Sequence, residues 1–307
     1  MNRVPSIVFA ALFLTACASE PAEEPVAAPI AQAEAVDAPA APDSSTAQTF
    51  EAVVAYAQEQ NLVARPLGEI VQAVGLQLLG RPYVEGALDR TAEEALVVDL
   101  TGFDCVTYVE NVLAIAQAVQ AGTPSYDAYV ANLEALRYRG GALDGYCSRL
   151  HYFTDWMRDN DARGNVRLIT QDVGEPFDKT IDFISGHREA YPKLAAGDAR
   201  SDSLFACIEG VEAGLRGHDL YYVPQDDIRG IYGQLEAGDI IATATDIDGL
   251  DVTHTGFVLK DGERTGFLHA SLTGEVKVSD DLADYIAGNR VQTGIIVARP
   301  LAPGTSG

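Results

Sequence analysis

The sequence predicts an α+β fold with helices first and strands last, and three observations carry that prediction. Apolar residues recur at helical spacing through the first half of the chain, the period changes to two after Gly238-Asp239, and a cysteine opens the most apolar helical stretch. Two amphipathic helices are expected at 50–61 and 66–79, the second with a stripe of Leu67, Ile70, Val71, Val74 and Leu78. Gly80-Arg81-Pro82-Tyr83 breaks the pattern, and Leu96 to Leu100 reads as a short strand or an extended approach. After Thr101-Gly102-Phe103-Asp104-Cys105, Val109, Val112, Leu113, Ala116 and Val119 return at three- and four-residue intervals, placing Cys105 at the start of a buried helix.

Between Gly122 and Gln234 the chain reads as a long helical, loop-rich insertion, with helices over 126–138, 150–158 and 203–215, that shapes a groove. Five strands follow at 240–245, 253–259, 267–272, 276–279 and 295–299, separated by turn residues, and are expected to form an antiparallel sheet against which the Cys105 helix packs.

The first residues have a different character. Arg3 precedes an apolar run from Val4 to Leu14 that is too short to span a bilayer and ends in Leu14-Thr15-Ala16-Cys17. Residues 1–17 therefore read as a lipoprotein signal peptide ending in a lipidated Cys17, since several acyl chains give the stable membrane anchoring that one cannot. Residues 18–49, rich in Ala, Pro and acidic side chains and lacking aromatics, read as a disordered tether. Residues 50–302 are long enough for a substantial core and show no second linker, so one monomeric domain is expected. A formal net charge of −24 argues against nucleic acid, which requires clustered Lys and Arg.

Of the four cysteines, lipidation claims Cys17. In an oxidising compartment Cys147 and Cys207 are free to pair, and two separately buried thiols are an equal alternative. Cys105 is placed for chemistry, because a thiol attacks as its thiolate and a helix N-terminus favours negative charge there. It is also placed for ordinary burial. Two of only five histidines shift the balance. His254 and His269 fall on neighbouring expected strands; alternation puts His254, Gly256 and Val258 on one face, and a short hairpin brings His269 beside His254. A cysteine at a helix start with two strand histidines suits a nucleophile, a base and an orienting group. His187 and His218 receive no role.

These residues resemble the NlpC-type, papain-like cell-wall cysteine hydrolases, and within them the N-acetylmuramoyl-L-alanine amidase-like branch. The resemblance spans about Gly80 to Arg299. It rests on Arg81-Pro82-Tyr83, Gly102-Phe103-Asp104-Cys105-Val106-Thr107, Tyr138-Arg139-Gly140, Ser148-Arg149-Leu150-His151-Tyr152, Gly238-Asp239-Ile240-Ile241, Leu250 to Gly256 and Leu268-His269-Ala270-Ser271. It implies a papain-like fold with Cys105 as nucleophile, His254 as general base and acid, and His269 orienting His254. Val106 stands where the wider superfamily usually has serine, a departure that fits the amidase-like branch. Tyr83, whose match in the family faces the nucleophile, joins Asp104, Arg149, His151, Trp156 and Ser271 as candidate substrate-binding or oxyanion residues.

The resemblance implies cleavage of the amide between N-acetylmuramic acid and L-alanine in peptidoglycan or its fragments, without cofactor or metal, by a protein lipid-anchored in the outer membrane and facing the periplasm. Three rivals stand beside it. One is an endopeptidase cutting the stem peptide between D-glutamate and the diamino acid. Another is a zinc amidase ligated by His254 and His269, with Asp251 the only near third ligand. The last is a lipoprotein that binds the wall without cutting it.

Overall fold

The computed structural model describes residues 44–302. Cys17, the expected signal peptide and most of the tether lie outside them. Helix α1 (Ser44–Glu59) begins ahead of the expected start at Phe50: its first turn is held by Thr46, whose Oγ1 accepts the Leu100 N–H at 3.2 Å, and both Thr46 and Thr49 are buried. Helix α2 (Leu67–Leu76) buries the stripe from Leu67 to Val74. The stretch 95–99 is extended without entering a ladder; it is held instead by side chains, Arg137 Nη1 donating to Val97 O at 2.6 Å.

Helix α3 (Cys105–Gln120) runs through the centre of the molecule, buried nearly all round from Thr107 to Val119. Asp104 starts it: its Oδ1 accepts the Thr107 N–H at 2.7 Å, and Thr107 Oγ1 in return accepts the Asp104 N–H at 2.9 Å. A reciprocal cap of this kind satisfies two of the donors that every helix start leaves open. Helix α4 (Tyr126–Arg137) packs beside it, and the buried Arg137–Glu110 pair, at 2.7 Å, locks the two together.

The rest of the segment contains α5 (Phe153–Ala162), β1 (Val166–Leu168), single-turn α6 (Thr170–Val173), β2 (Glu175–Pro176), single-turn α7 (Phe183–Gly186) and α8 (Pro192–Ala195), α9 (Ala199–Leu215) and β3 (Tyr221–Pro224). The C-terminal part supplies β4 (Ile240–Thr245), β5 (Val252–Asp261), β6 (Arg264–Ala270), β7 (Val276–Ser279), α10 (Leu282–Ala287) and β8 (Gln292–Pro300). All pairings are antiparallel, in the order β2-β3-β8-β4-β5-β6-β7, with β1 on the same edge of β8 as β3. The reading of 122–234 as helices and loops is thereby corrected, since it also lends β1, β2 and β3 to the sheet. These strands are two to four residues long and two contain proline, too short and too interrupted for a period-two signal.

The sheet has two apolar faces. Phe257, Leu259, Leu268 and Ala270 pack towards α2 and α3, whereas Val258, Phe267, Ile295 and Val297 pack with Leu282 and Ile286 of α10. Cys147 and Cys207 are disulfide-bonded, with Cα atoms 6.2 Å apart, which settles the alternative left open by their spacing.

Candidate active site

Cys105 is the first residue of α3 and is half-buried. Thr255 Oγ1 donates to the Cys105 carbonyl at 2.9 Å, pinning the first turn of the helix to β5 one residue from His254. Between Thr243 and Ala244 the β4–β5 register slips, so that His254 opposes Thr243 while Val252 opposes Ala244. The extra residue, Thr253, makes a bulge, a device that re-aims neighbouring side chains. Cys105 and His254 open onto one cavity of about 280 Å³ at this end of the sheet.

His254 and His269 meet as the strand alternation predicts. Nε2 of His254 lies 2.7 Å from Nδ1 of His269, and Nε2 of His269 lies 3.1 Å from Ser279 Oγ on β7. The rings of Phe267 and Tyr285 close around the pair, Phe267 stacked on His269 at 4.6 Å and Tyr285 at 4.8 Å from it. Gly256 is needed here: a Cβ at this position would stand 2.7 Å from the Leu268 carbonyl oxygen and 2.8 Å from His269 Cβ.

Burial decides the charge states. It lowers the His254 pKa to about 3, helped by the Lys277 ammonium, and lowers that of His269 to about 2, helped by His254 and Lys277. It also pushes the Cys105 thiol up to about 12, with the neighbouring Asp104 adding to the shift against hydrogen bonds from Thr255 and Val106. Desolvation thus opposes the helix N-terminus that favours a thiolate, and burial disfavours charge on both the Cys105 thiol and the His254 imidazole. The two histidine nitrogens that face each other are bonded to one another, whereas zinc ligands turn both lone pairs to one point. Among the described residues no group of three or more His, Cys, Asp or Glu side chains is arranged to hold a metal ion.

The remaining wall comes from the segment between the cysteine and the histidines. Arg149 is buried against Asp89, Nη2 to Oδ1 at 2.5 Å, with Glu94 at 3.3 Å from its Nε and the Tyr146 ring 5.1 Å away. His151 donates from Nε2 to the Tyr146 carbonyl at 2.8 Å, and burial together with Arg149 lowers its pKa to about 3. Both residues line the cavity. Asp251, which spacing offered only as a metal ligand, instead caps α5, a helix whose own N-terminal residue supplies no side-chain cap. Its Oδ2 accepts the N–H and hydroxyl of Thr154 at 2.9 and 2.8 Å. It thereby joins the wall to the strand three residues before His254.

A sequence model of the AmiA-like family, described as N-acetylmuramoyl-L-alanine amidase-like, matches residues 73–295. The chain belongs to that family. A crystal structure of an N-acetylmuramoyl-L-alanine amidase from Bacteroides uniformis superposes with a TM-score of 0.70 at 32% identity, over 76% of this chain and 98% of the other. A Bacteroides fragilis protein described as a candidate xylanase gives 0.64 at 31%, over 73% and 98%. A Legionella pneumophila protein shares the fold, at 0.57 and 18% identity, over 84% and 97%. No curated protein sequence matches.

Within this amidase-like site the expected binding residues divide. Arg149 and His151 line the cavity, and Asp104 does so while serving as the cap of α3. Tyr83 does not line it; its phenol sits close enough to Cys105, Asp104 and Tyr285 for each to raise its pKa further beyond the effect of burial. Two placements are corrected. Trp156 is fully buried in the core, stacked on Phe153 at 4.9 Å, because it falls on the inward stripe of α5. Ser271 belongs to the β6–β7 turn, its N–H donating to Glu275 O and its hydroxyl meeting Thr273 Oγ1, both at 2.9 Å. Sequence reasoning missed Ser279 and Asp89, which carry no signal until strand register and the Arg149 pairing are known.

Proposed function

We propose that this family member is a cysteine-dependent N-acetylmuramoyl-L-alanine amidase of the cell envelope with a papain-like arrangement of nucleophile helix and histidine strand. The observation that carries the reading is the His254–His269 bond at 2.7 Å, opening with the helix-start Cys105 onto one cavity. With Nε2 of His254 engaged by His269, its Nδ1 is the nitrogen left for the thiol. Cys105 Sγ attacks the lactyl carbonyl of N-acetylmuramic acid as the thiol proton passes to His254. Collapse of the tetrahedral adduct breaks the C–N bond, and the same proton leaves on the L-alanine amine. Water, deprotonated by His254, then hydrolyses the thioester and regenerates the thiol.

Burial disfavours charge on both the thiol and the imidazole, which supports general-base attack over a preformed ion pair. Arg149 lines the cavity already paired with Asp89 and Glu94, so in this reading it supports the wall, and a stem-peptide carboxylate would have to compete with those partners. Glycoside cleavage, the activity named for the Bacteroides fragilis relative, calls for a pair of free carboxyl groups. The cavity carboxyls are occupied: Asp104 and Asp251 cap helices, Glu110 pairs with Arg137, and Asp89 pairs with Arg149. We further propose that Cys17 carries the lipid anchor and that the chain from there to Ser44 tethers the domain at the outer membrane, within reach of the wall.

Mass spectrometry of defined muropeptides after digestion tests the reaction. Release of the intact stem peptide, abolished by Cys105→Ala without loss of fold, is expected. Full turnover in that variant, a shortened stem left on the sugar, or loss to EDTA with resistance to iodoacetamide would each overturn it. Failure of labelled palmitate to enter the wild-type protein expressed in a bacterium, with Cys17→Ala as control, would overturn the anchor.

A further inference from the structure

We infer that Ser279 is the positioning residue that holds the histidine pair in the tautomer a general base requires. The inference rests on the proposed Cys105–His254 chemistry and extends it by one residue.

Two neutral imidazoles bonded nitrogen to nitrogen have two proton arrangements. In the first, His254 donates from Nε2 to His269 Nδ1, leaving a lone pair on His254 Nδ1 to take the thiol proton. In the second, His269 donates from Nδ1, the His254 proton sits on Nδ1, and the base is blocked. The first arrangement puts the remaining proton of His269 on Nε2, in a fully buried ring. That N–H must find an acceptor, because an orphaned buried donor is costly and an unused acceptor less so. Ser279 Oγ, 3.1 Å away, is the partner provided. A hydroxyl can serve either arrangement, but its loss penalises only the productive one heavily.

Among the described residues Ser279 Oγ is the hydrogen-bond partner given to His269 Nε2. His269 and Phe267 share a face with their cross-strand partners Lys277 and Ser279 on β7. Lys277 brings a cation that opposes protonation of either ring. Phe267 stacks on His269, Tyr285 of α10 contributes its ring at 4.8 Å from His269 and 6.0 Å from His254, and Cys105, at the start of α3, lines the same cavity as His254. Ser279 thus ends a hydrogen-bonded chain that begins at His254 and passes through His269, and in the productive arrangement every donor in it points away from His254 Nδ1.

The test reads the tautomer directly. In ¹⁵N spectra of the wild-type protein labelled at histidine, His269 is expected to be protonated on Nε2 and His254 on Nε2 as well. Ser279→Ala should move His269 towards the Nδ1–H form and lower kcat on a muropeptide amide about tenfold with KM little changed. Ser279→Thr, which restores a hydroxyl, should recover most of that rate and the Nε2–H form of His269. A wild-type His269 protonated on Nδ1, or an alanine variant with unchanged tautomer and unchanged kcat, would overturn the inference. The spectra need no substrate, so they report on Ser279 even if the amide proves to be the wrong bond.

Discussion

The β5–β6–β7 end of the sheet and the wall built from residues 122–234 border the same cavity but are held by different forces. The sheet end rests on an antiparallel ladder and two aliphatic faces, which fix Cα positions continuously along each strand. The wall rests on discrete polar fastenings. Tyr152 reaches Glu212 at 2.7 Å and accepts the Ile184 N–H at 2.8 Å, Asp182 and Phe183 donate to the Gly249 carbonyl at 3.0 Å, and one disulfide ties the turn before Arg149 to α9. The chemistry therefore sits on the part that cannot shift without breaking a ladder, and the recognition surface on the part that a few substitutions can loosen. This division predicts that damage to one region leaves the other region's readout intact.

The largest expected effect probes the sheet end. With burial pushing the thiol up to about 12 and His254 down to about 3, thiolate is scarce at neutral pH. The iodoacetamide rate should therefore rise about tenfold per pH unit between pH 7 and pH 10, roughly a thousandfold in all, following the thiolate fraction. A rate already flat from pH 5 to 8 would mean a preformed thiolate–imidazolium pair and would break the assignment of neutral partners. A muropeptide that excludes water and supplies hydrogen bonds to the sulfur should shift this profile towards lower pH, which sharpens the role of substrate in activating the thiol.

The next effect probes the wall. Cys147 and Cys207 are 60 residues apart, and closing a loop of that length restricts the unfolded chain by about 4 kcal/mol. The Cys147→Ala/Cys207→Ala double variant should unfold at lower denaturant by close to that free energy and show a raised KM. Its Cys105 alkylation profile should stay that of the wild type. If the profile moved with the wall, the two regions would be one cooperative unit and the comparison would fail.

What could be read from the sequence follows the same division. Cys105 at a helix start, the five C-terminal strands and the adjacency of His254 and His269 were all legible, because period and alternation record how a continuous element meets a core. The wall was legible only as a helical region. Its short strands are specified by pairing with β8 rather than by their own residues, and Trp156 and Arg149 look alike in sequence although one is core and the other faces the cavity. Asp251 enters the sequence reading only as the near third ligand of a rival zinc site; its partner Thr154 lies far away in the chain, and such a cap is invisible until the fold is formed. The counterweight of burial on the thiol is hidden for a related reason: helix position is a local property, whereas desolvation depends on everything packed around the sulfur.

The smallest expected effect compares the two regions through their histidines. His254 and His269 belong to the sheet end and His151 to the wall, and burial lowers all three below the value of an unfolded histidine near 6.5. Between that value and about 3 the unfolded chain binds more protons than the folded one, so stability rises with pH through this window and is lost as pH falls. Each neutral buried histidine contributes at most about 1.4 kcal/mol per pH unit there. The melting temperature should accordingly fall from pH 6.5 to pH 4, and His151→Gln should flatten the slope by about one histidine's share, because glutamine keeps a donor for the Tyr146 carbonyl without taking up a proton. If the slope were unchanged in His151→Gln, His151 would be charged or solvated in the folded protein. The wall would then be open to water where the sheet end is dry, making the contrast between the two regions larger than the structure implies.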